Sequence, residues 1–300
     1  MCCGSSSVGR VSAFQADCRE FESRLPLHKK ESLKDSFLLI RQLQKAFVLM
    51  EQQKKIRIGV IGCGVIGNAL INWIRNNNSN CIILRSDPLK GYTDDITQAD
   101  IIFISIHIPT VDGKQELTAL ENIIKTCPNI PIFIRTTLLP GTCYNLAKKY
   151  NKDINFMPEF LTERNAQECF DNQPLIFTNH SELLQKIFIG KNFIKMSSLE
   201  AEVAKYSHNV FGALKVTYFN GIYELCQKLK IDYENVKQGT LLSGYINEPH
   251  TQVPGPDGNF GYNGKCFPKD VEAFINFTEG SNLNKLINQL PKINEKYKTN

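Results

Sequence analysis

Cys266 ends the run Gly255-Pro-Asp-Gly-Asn-Phe-Gly-Tyr-Asn-Gly-Lys-Cys-Phe-Pro-Lys-Asp270, whose residue types suit covalent chemistry on a thiol. Its glycines let backbone approach a ligand closely. Lys265 and Lys269 flank the cysteine and are expected to favour the thiolate, the nucleophilic form. Asp270 follows four residues on, placed to hold a water or a proton near the sulfur. The same run would also serve as a glycine-rich turn around a buried thiol. Two further sets of polar residues are spaced for chemistry. Lys205 and Asn209 are four apart in a helical stretch, so both project from one face as a donor pair for an alkoxide or carbonyl oxygen; the alternative is a solvated polar stripe. Pro158-Glu-Phe-Leu-Thr-Glu163 follows an apolar strand. Glu159 and Glu163 are either a base and an orienting group or first-turn helix acids near a favourable dipole.

These groups need a frame, and the frame begins at Ile56-Arg-Ile-Gly-Val-Ile-Gly-Cys-Gly-Val-Ile-Gly67. An apolar, β-branched run opens onto Gly62-x-Gly64-x-x-Gly67, and residues 65–75 then carry apolar side chains at helical spacing. A second apolar strand over 81–84 delivers Asp87, twenty residues after Gly67. Strand, glycine turn, helix, strand and acid in that order predict a dinucleotide site. Gly62 makes the tight turn, Gly64 admits the pyrophosphate, Gly67 lets helix pack on strand, and Val65 and Ile66 open the helix whose N-terminus faces the phosphates. Asp87 would accept the adenosine ribose hydroxyls and repel a 2′-phosphate, which predicts NAD rather than NADP, although Arg85 and Lys90 lie close by.

Beyond this unit the alternation continues. Apolar strands are legible at 101–106, 132–135, 154–156 and 175–177, with helical segments such as 116–126 and 143–150 between them. That pattern predicts an α/β protein with a Rossmann-type, doubly wound parallel sheet. From about residue 196 it changes. Residues 199–228 read as one long helix preceded by Ser197 and Ser198, and the remainder outside the glycine-rich run is also helical. The expected division is a dinucleotide-binding domain over 50–195 and a helical domain over 196–300.

The segments 62–67, 136–142 (Thr-Thr-Leu-Leu-Pro-Gly-Thr), 158–161 (Pro-Glu-Phe-Leu), Lys205-x-x-x-Asn209 and 266–270 (Cys-Phe-Pro-Lys-Asp) occur in an order and spacing that resemble the UDP-glucose/GDP-mannose dehydrogenase family. The resemblance runs from about Ile56 to about Asn294. It implies oxidation of a sugar primary alcohol to a carboxylate with two NAD and one active-site cysteine, UDP-glucose being the leading substrate. It implies Cys266 as nucleophile, Lys205 and Asn209 on the reacting oxygen, Asp270 and Thr137 positioning water, and Glu159 assisting thioester hydrolysis. Glu163 and Lys269 would line the site, with Thr137, on the cofactor side. Phe160, Leu161 and the 258–264 loop, with Tyr262 and Gly264, would contact the sugar. The family's middle domain dimerises through the long helix, which implies a homodimer. A GDP-mannose or other UDP-sugar dehydrogenase, and a non-catalytic NAD-binding protein or regulatory subunit, are the alternatives.

The chain departs from the family pattern in places. Asn-Pro-Glu-Phe-Leu-Arg-Glu-Gly becomes Met157-Pro-Glu-Phe-Leu-Thr162-Glu-Arg164, and Gly-Phe-Gly-Gly becomes Gly261-Tyr-Asn-Gly264, where Asn263 would have to tolerate a positive φ. The family continues into a third domain that grips the nucleotide diphosphate, whereas this chain ends thirty residues after Asp270. At the other end, residues 4–28 resemble a peptide translated through a transfer-RNA gene. Residues 1–49 are therefore expected to be a non-native or disordered extension. The alternative is an amphipathic arm carrying Leu33, Phe37, Ile40, Leu43 and Phe47.

Composition excludes little but excludes it cleanly. The formal charge of +5 belongs largely to residues 1–49, which hold eight Lys/Arg against five Asp/Glu, so no basic patch points to nucleic acid. No apolar run reaches membrane-spanning length. Ten cysteines without a secretory signal or paired spacing read as reduced thiols in a cytoplasmic enzyme. No pair of the five histidines has ligand spacing and none falls in a catalytic motif, so no metal is expected; His208 reads as a packing residue.

Overall fold

Isoleucine-rich runs form the centre of the molecule because β-branched side chains pack well on a pleated, buried surface. In this computed structural model, which describes residues 55–299, the strands are β1 (Ile56–Ile61), β2 (Cys81–Asp87), β3 (Tyr92–Thr93), β4 (Ile101–Ile104), β5 (Thr110–Val111), β6 (Lys114–Gln115), β7 (Ile132–Ile134), β8 (Ile154–Phe156), β9 (Leu175–Phe177) and β10 (Phe193–Lys195). The expectations for residues 1–49 fall outside the described residues. Six strands make one sheet in the order β3-β2-β1-β4-β7-β8, parallel except for the short antiparallel β3. Strands β4 and β7 are buried along their whole length, as both-sided burial of a parallel sheet requires.

Helices α1 (Val65–Asn77), α2 (Thr118–Thr126), α3 (Thr142–Tyr150), α4 (Ala166–Asn172) and α5 (Ser181–Ile187) accompany the strands. One apolar layer sits on Leu70, Trp73, Phe103, Phe170 and Phe188, and another on Ile102, Ile104, Ile124, Ile134 and Phe156. The doubly wound parallel sheet is therefore as read from sequence, with two differences. Strand β9 does not extend that sheet but pairs in parallel with β10 in a separate ribbon. Strand β4 ends at Ile104: Ser105 N–H makes a last bond to the Ile61 carbonyl of β1, and beyond it the Ile106 carbonyl accepts from a side chain, Thr136 Oγ1, at 2.6 Å.

Helix α6 (Ser198–Leu229) is the long element, 32 residues or roughly 48 Å. A capping box starts it, with Ser197 Oγ accepting from Glu200 N–H while Glu200 Oε2 accepts from Ser197 N–H. Lys230 in the left-handed region ends it. Helices α7 (Tyr233–Leu241), α8 (Phe267–Phe277), α9 (Asn282–Ile287) and α10 (Leu290–Lys298) complete the described chain. Tyr206 stacks on Phe274 at 4.9 Å between ring centroids, in a core shared with Val210, Val271 and Leu290. Gly212 lets α8 come close, since a Cβ there would lie 2.6 Å from Phe267 Cζ. Helix α6 is tied to α3 by Glu202, fully buried, whose carboxylate accepts from Gly141 N–H at 2.7 Å and Cys143 N–H at 2.8 Å and so caps the N-terminus of α3. Among the described residues no helix is long and apolar enough to cross a membrane.

Candidate active site

The glycine turn after β1 has the shape that a phosphate needs. Gly62 holds φ +85°, and a Cβ on it would lie 2.5 Å from the Ser105 carbonyl oxygen; a Cβ on Gly67 would collide with the Gly62 carbonyl. Gly64 is the N-cap of α1, and nothing lies within 4 Å of where its Cβ would be, so open space faces a helix N-terminus with no acid in its first turn, where Val65 and Ile66 sit. Asp87 ends β2 and accepts from Cys63 N–H at 2.8 Å. Its two cationic neighbours are already occupied: Arg85 lies over the Tyr92 ring at 4.0 Å, and Lys90 Nζ donates to the Cys63 carbonyl at 2.7 Å. Strands β1 and β4 flank the point where strand order reverses, the crevice in which open α/β sheets take ligands. These residues fit a dinucleotide.

The thiol group assembles from three separate segments, and the Thr137 stretch makes a fourth. Cys266 is solvent-exposed and forms the N-cap of α8. One turn later, Asp270 is fully buried; its Oδ2 accepts from Asn209 Nδ2 at 2.7 Å and its Oδ1 from Lys269 Nζ at 2.5 Å. Lys205, 3% exposed, donates to the Glu159 carbonyl at 2.5 Å and to Glu159 Oε1 at 3.1 Å, with Phe160 beneath its ammonium at 5.2 Å. Glu159 Oε2 in turn accepts from Leu161 N–H at 2.7 Å. An ammonium carries three hydrogens and an amide nitrogen two, so Lys205 and Asn209 each keep one donor beyond these bonds. Both residues sit on the buried face of α6, not in a solvated stripe.

The expected thiolate is corrected by this geometry. Crowding around the sulfur raises the Cys266 pKa above its ordinary value, foremost through desolvation and then through the Asp270 carboxylate. Lys269 opposes that rise, Glu159 adds to it, and Lys205 opposes it. Lys265 takes no part, because its ammonium turns to Glu163 at 3.9 Å on the surface. Glu163 is correspondingly exposed, whereas Glu159 is buried.

Several other expected residues fall into place differently. Thr137 is buried, 6% exposed, three residues beyond β7. Tyr262 is 3% exposed with its ring in the helical core, and its backbone is clamped by Asn294, which accepts from its N–H at 2.7 Å and donates to its carbonyl at 2.8 Å. It is a packing residue in this arrangement, not a ligand-facing one. Gly264 is exposed with open space around it. The positive φ values of the loop fall on Gly258, Gly261 and Gly264, so Asn263 carries no such demand. Arg164, which departs from the family pattern, donates to the Pro256 carbonyl at 2.5 Å and links the two loops around the site.

Sequence reasoning missed two residues here. His107, just beyond β4 at the same sheet edge, lies within electrostatic reach of Lys269, Lys265 and Asp270; burial and then the two lysines lower its pKa, and Asp270 opposes them. Its position at the C-terminal edge of a central strand was the available signal. Arg135, 1% exposed, has Nε and Nη1 unpartnered, lies over Phe170 at 5.1 Å, and is pulled down by burial to about 10 against the opposing charge of Glu159.

A glycine turn at the edge of a doubly wound sheet and an exposed thiol on a helical portion suggest a class, and comparison with known proteins shows what the chain resembles. Residues 199–296 match the central domain of the UDP-glucose/GDP-mannose dehydrogenase family. The chain is 30% identical over 237 residues to the UDP-glucose 6-dehydrogenase of Rickettsia prowazekii (strain Madrid E), covering 71% of this chain and 54% of that one. It is 27% identical over 229 residues to the GDP-mannose 6-dehydrogenase of Pseudomonas syringae pv. tomato (strain ATCC BAA-871 / DC3000), covering 66% and 51%. The fold is similar to a UDP-glucose dehydrogenase from Pyrobaculum islandicum, with a TM-score of 0.69, 21% identity, and coverage of 81% of this chain and 69% of that one. Over the matched residues the chain is similar to members of the UDP-glucose/GDP-mannose dehydrogenase family. It spans about half the length of the curated relatives it matches.

Proposed function

We propose that the protein oxidises the primary alcohol of a nucleotide sugar to the carboxylate, with UDP-glucose as substrate, through a covalent intermediate on Cys266. The observation that carries this reading is the convergence of Cys266, the Lys205–Glu159 pair and the Asn209–Asp270 pair from three segments. The free donors of Lys205 and Asn209 would hold the oxygen on which negative charge develops. Bound at Gly62–Gly67 and Asp87, NAD would accept a hydride from the sugar carbon at each of the two oxidations. Cys266 adds its sulfur to the aldehyde carbon, the C=O π bond opens, and the thiol proton passes to that oxygen to give the thiohemiacetal; without that adduct the aldehyde carbon offers no good second hydride. After the second oxidation, a water held near Thr137 and Asp270 attacks the thioester carbon. The C–S bond breaks, the thiolate returns to Cys266, and the water proton passes to Glu159.

The active form in this proposal is a homodimer. Phe211, Tyr218, Leu225 and Leu229 on α6 are 64%, 58%, 48% and 57% exposed at spacings of seven, seven and four, which leaves one apolar face of the long helix for a second copy. Its seven described cysteines are free, which suits a reducing compartment such as the cytoplasm. NADH formation by the purified chain against a panel of nucleotide sugars tests the reading. Activity on UDP-glucose alone supports it, and dinucleotide binding without turnover on any sugar removes it.

A further inference from the structure

The β5–β6 hairpin supplies no reacting group, yet it touches both halves of the candidate site. Its two-residue turn is Asp112-Gly113, at φ 50° and 71°, the left-handed pair of a tight hairpin. The Gly113 N–H donates to Glu272 Oε1 at 2.8 Å, and its carbonyl accepts from Asn276 Nδ2 at 3.1 Å. Glu272 and Asn276 are four apart and share one face of α8, the helix whose N-cap is Cys266. The fit leaves no slack, since a Cβ on Gly113 would lie 2.9 Å from Asn276 Nδ2.

Two residues further on, Gln115 spans the segment that carries Thr137. Its Nε2 donates to the Thr137 carbonyl at 2.9 Å and its Oε1 accepts from Leu139 N–H at 2.8 Å. Two bonds to one stretch of backbone fix its orientation as well as its place, as pairing with a strand neighbour would. The hairpin's bonds stop short of Gly62–Gly67, Lys205 and Asn209, the groups assigned to cofactor and alkoxide. What it joins is the helix bearing the thiol and the segment assigned to the attacking water. We infer that the hairpin is a strap that sets α8 against the Thr137 segment, with Gly113 and Gln115 as positioning residues for thioester hydrolysis.

This rests on the proposed reading that Cys266 carries the acyl group. If the strap governs the approach of water to the thioester carbon, loosening it slows that one step, and a misplacement of about 1 Å costs up to a hundredfold. The variants are Gln115→Leu, which removes both bonds at similar size, and Gly113→Ala and Glu272→Gln, which disturb the tip. Steady-state turnover is read together with intact-mass detection of acylated enzyme after mixing with sugar and NAD. The expected result for Gln115→Leu is a kcat lower by about tenfold, KM for the sugar within about twofold, and acyl-enzyme accumulating. Gln115→Leu combined with Glu272→Gln should lose less than the product of the single losses, as residues acting as one unit do. Unchanged kcat, or a loss carried by KM with no acyl-enzyme, overturns the strap. Should the wild-type chain form no acid, the reading of the reaction falls, and the strap is then decided by iodoacetamide alkylation of Cys266. A rate changed by roughly threefold or more in Gly113→Ala and Glu272→Gln supports it, and unchanged rates overturn it.

Discussion

The glycine turn and the thiol group differ in how each is put together. The turn lies within 26 consecutive residues, Gly62 to Asp87, where strand, turn, helix and strand are covalent neighbours. Its geometry follows from local sterics: a positive φ at Gly62, a crowded Gly67, an open Gly64. The thiol group draws Thr137, Glu159, Lys205 with Asn209, and Cys266 with Asp270 from four elements. It is held by packing of α8 on α6 at Gly212, by buried polar pairs and by the bonds of the β5–β6 hairpin. The first region should therefore tolerate change elsewhere, while the second should respond to any shift between helices.

Changes confined to one region test that contrast most strongly. Gly67→Ala places a methyl against the Gly62 carbonyl, and dinucleotide affinity should fall by about a hundredfold or more while Cys266 alkylation stays unchanged. Calorimetry and alkylation kinetics on the same sample check both halves, and a joint loss would mean the regions are one unit. Lys205→Ala should lower kcat by about 3 kcal/mol, or roughly a hundredfold, with a smaller change in KM; a loss confined to KM would make Lys205 a binding residue only.

A purely structural change should reach only the helical region. Phe274→Ala removes the ring stacked on Tyr206 and should cost about 3–5 kcal/mol of unfolding free energy, read by denaturant titration. The smallest effect is electrostatic. The alkylation rate of Cys266 should rise with pH through a midpoint above 9.0, the ordinary thiol value, because desolvation and Asp270 favour the protonated form. Removing the opposing cation in Lys269→Met should move that midpoint further up, and Asp270→Asn should move it down. A midpoint below 9.0 in the wild-type protein would restore the thiolate that sequence alone suggested.

The same contrast explains what the sequence made legible. Gly62, Gly64, Gly67 and Asp87 fell where they were expected because spacing along the chain is spacing in space within one βαβ unit. The long helix was legible from Ser197 and from apolar residues at helical spacing, down to its first turn. The thiol group was legible only as residue types. Lys265 neighbours Cys266 in sequence but pairs with Glu163 in the fold, and Tyr262, read as ligand-facing, fills the core instead. The Asp112-Gly113 turn carries a recognised hairpin signal, yet its strands are two residues each with no alternation to display. Arg135 and His107 meet their neighbours only in the fold, Glu159 and Phe170 for the first and Lys265, Lys269 and Asp270 for the second, which no local pattern encodes.

The covalent role of Cys266 is the claim on which the account depends. It is tested by counting NADH released per sugar acid formed, alongside the same assay on Cys266→Ala. The account predicts two NADH per acid for the wild-type protein, and no acid from the alanine variant while its NAD affinity is retained. Undiminished acid formation by Cys266→Ala, or one NADH per turnover with aldehyde as the product, would contradict it.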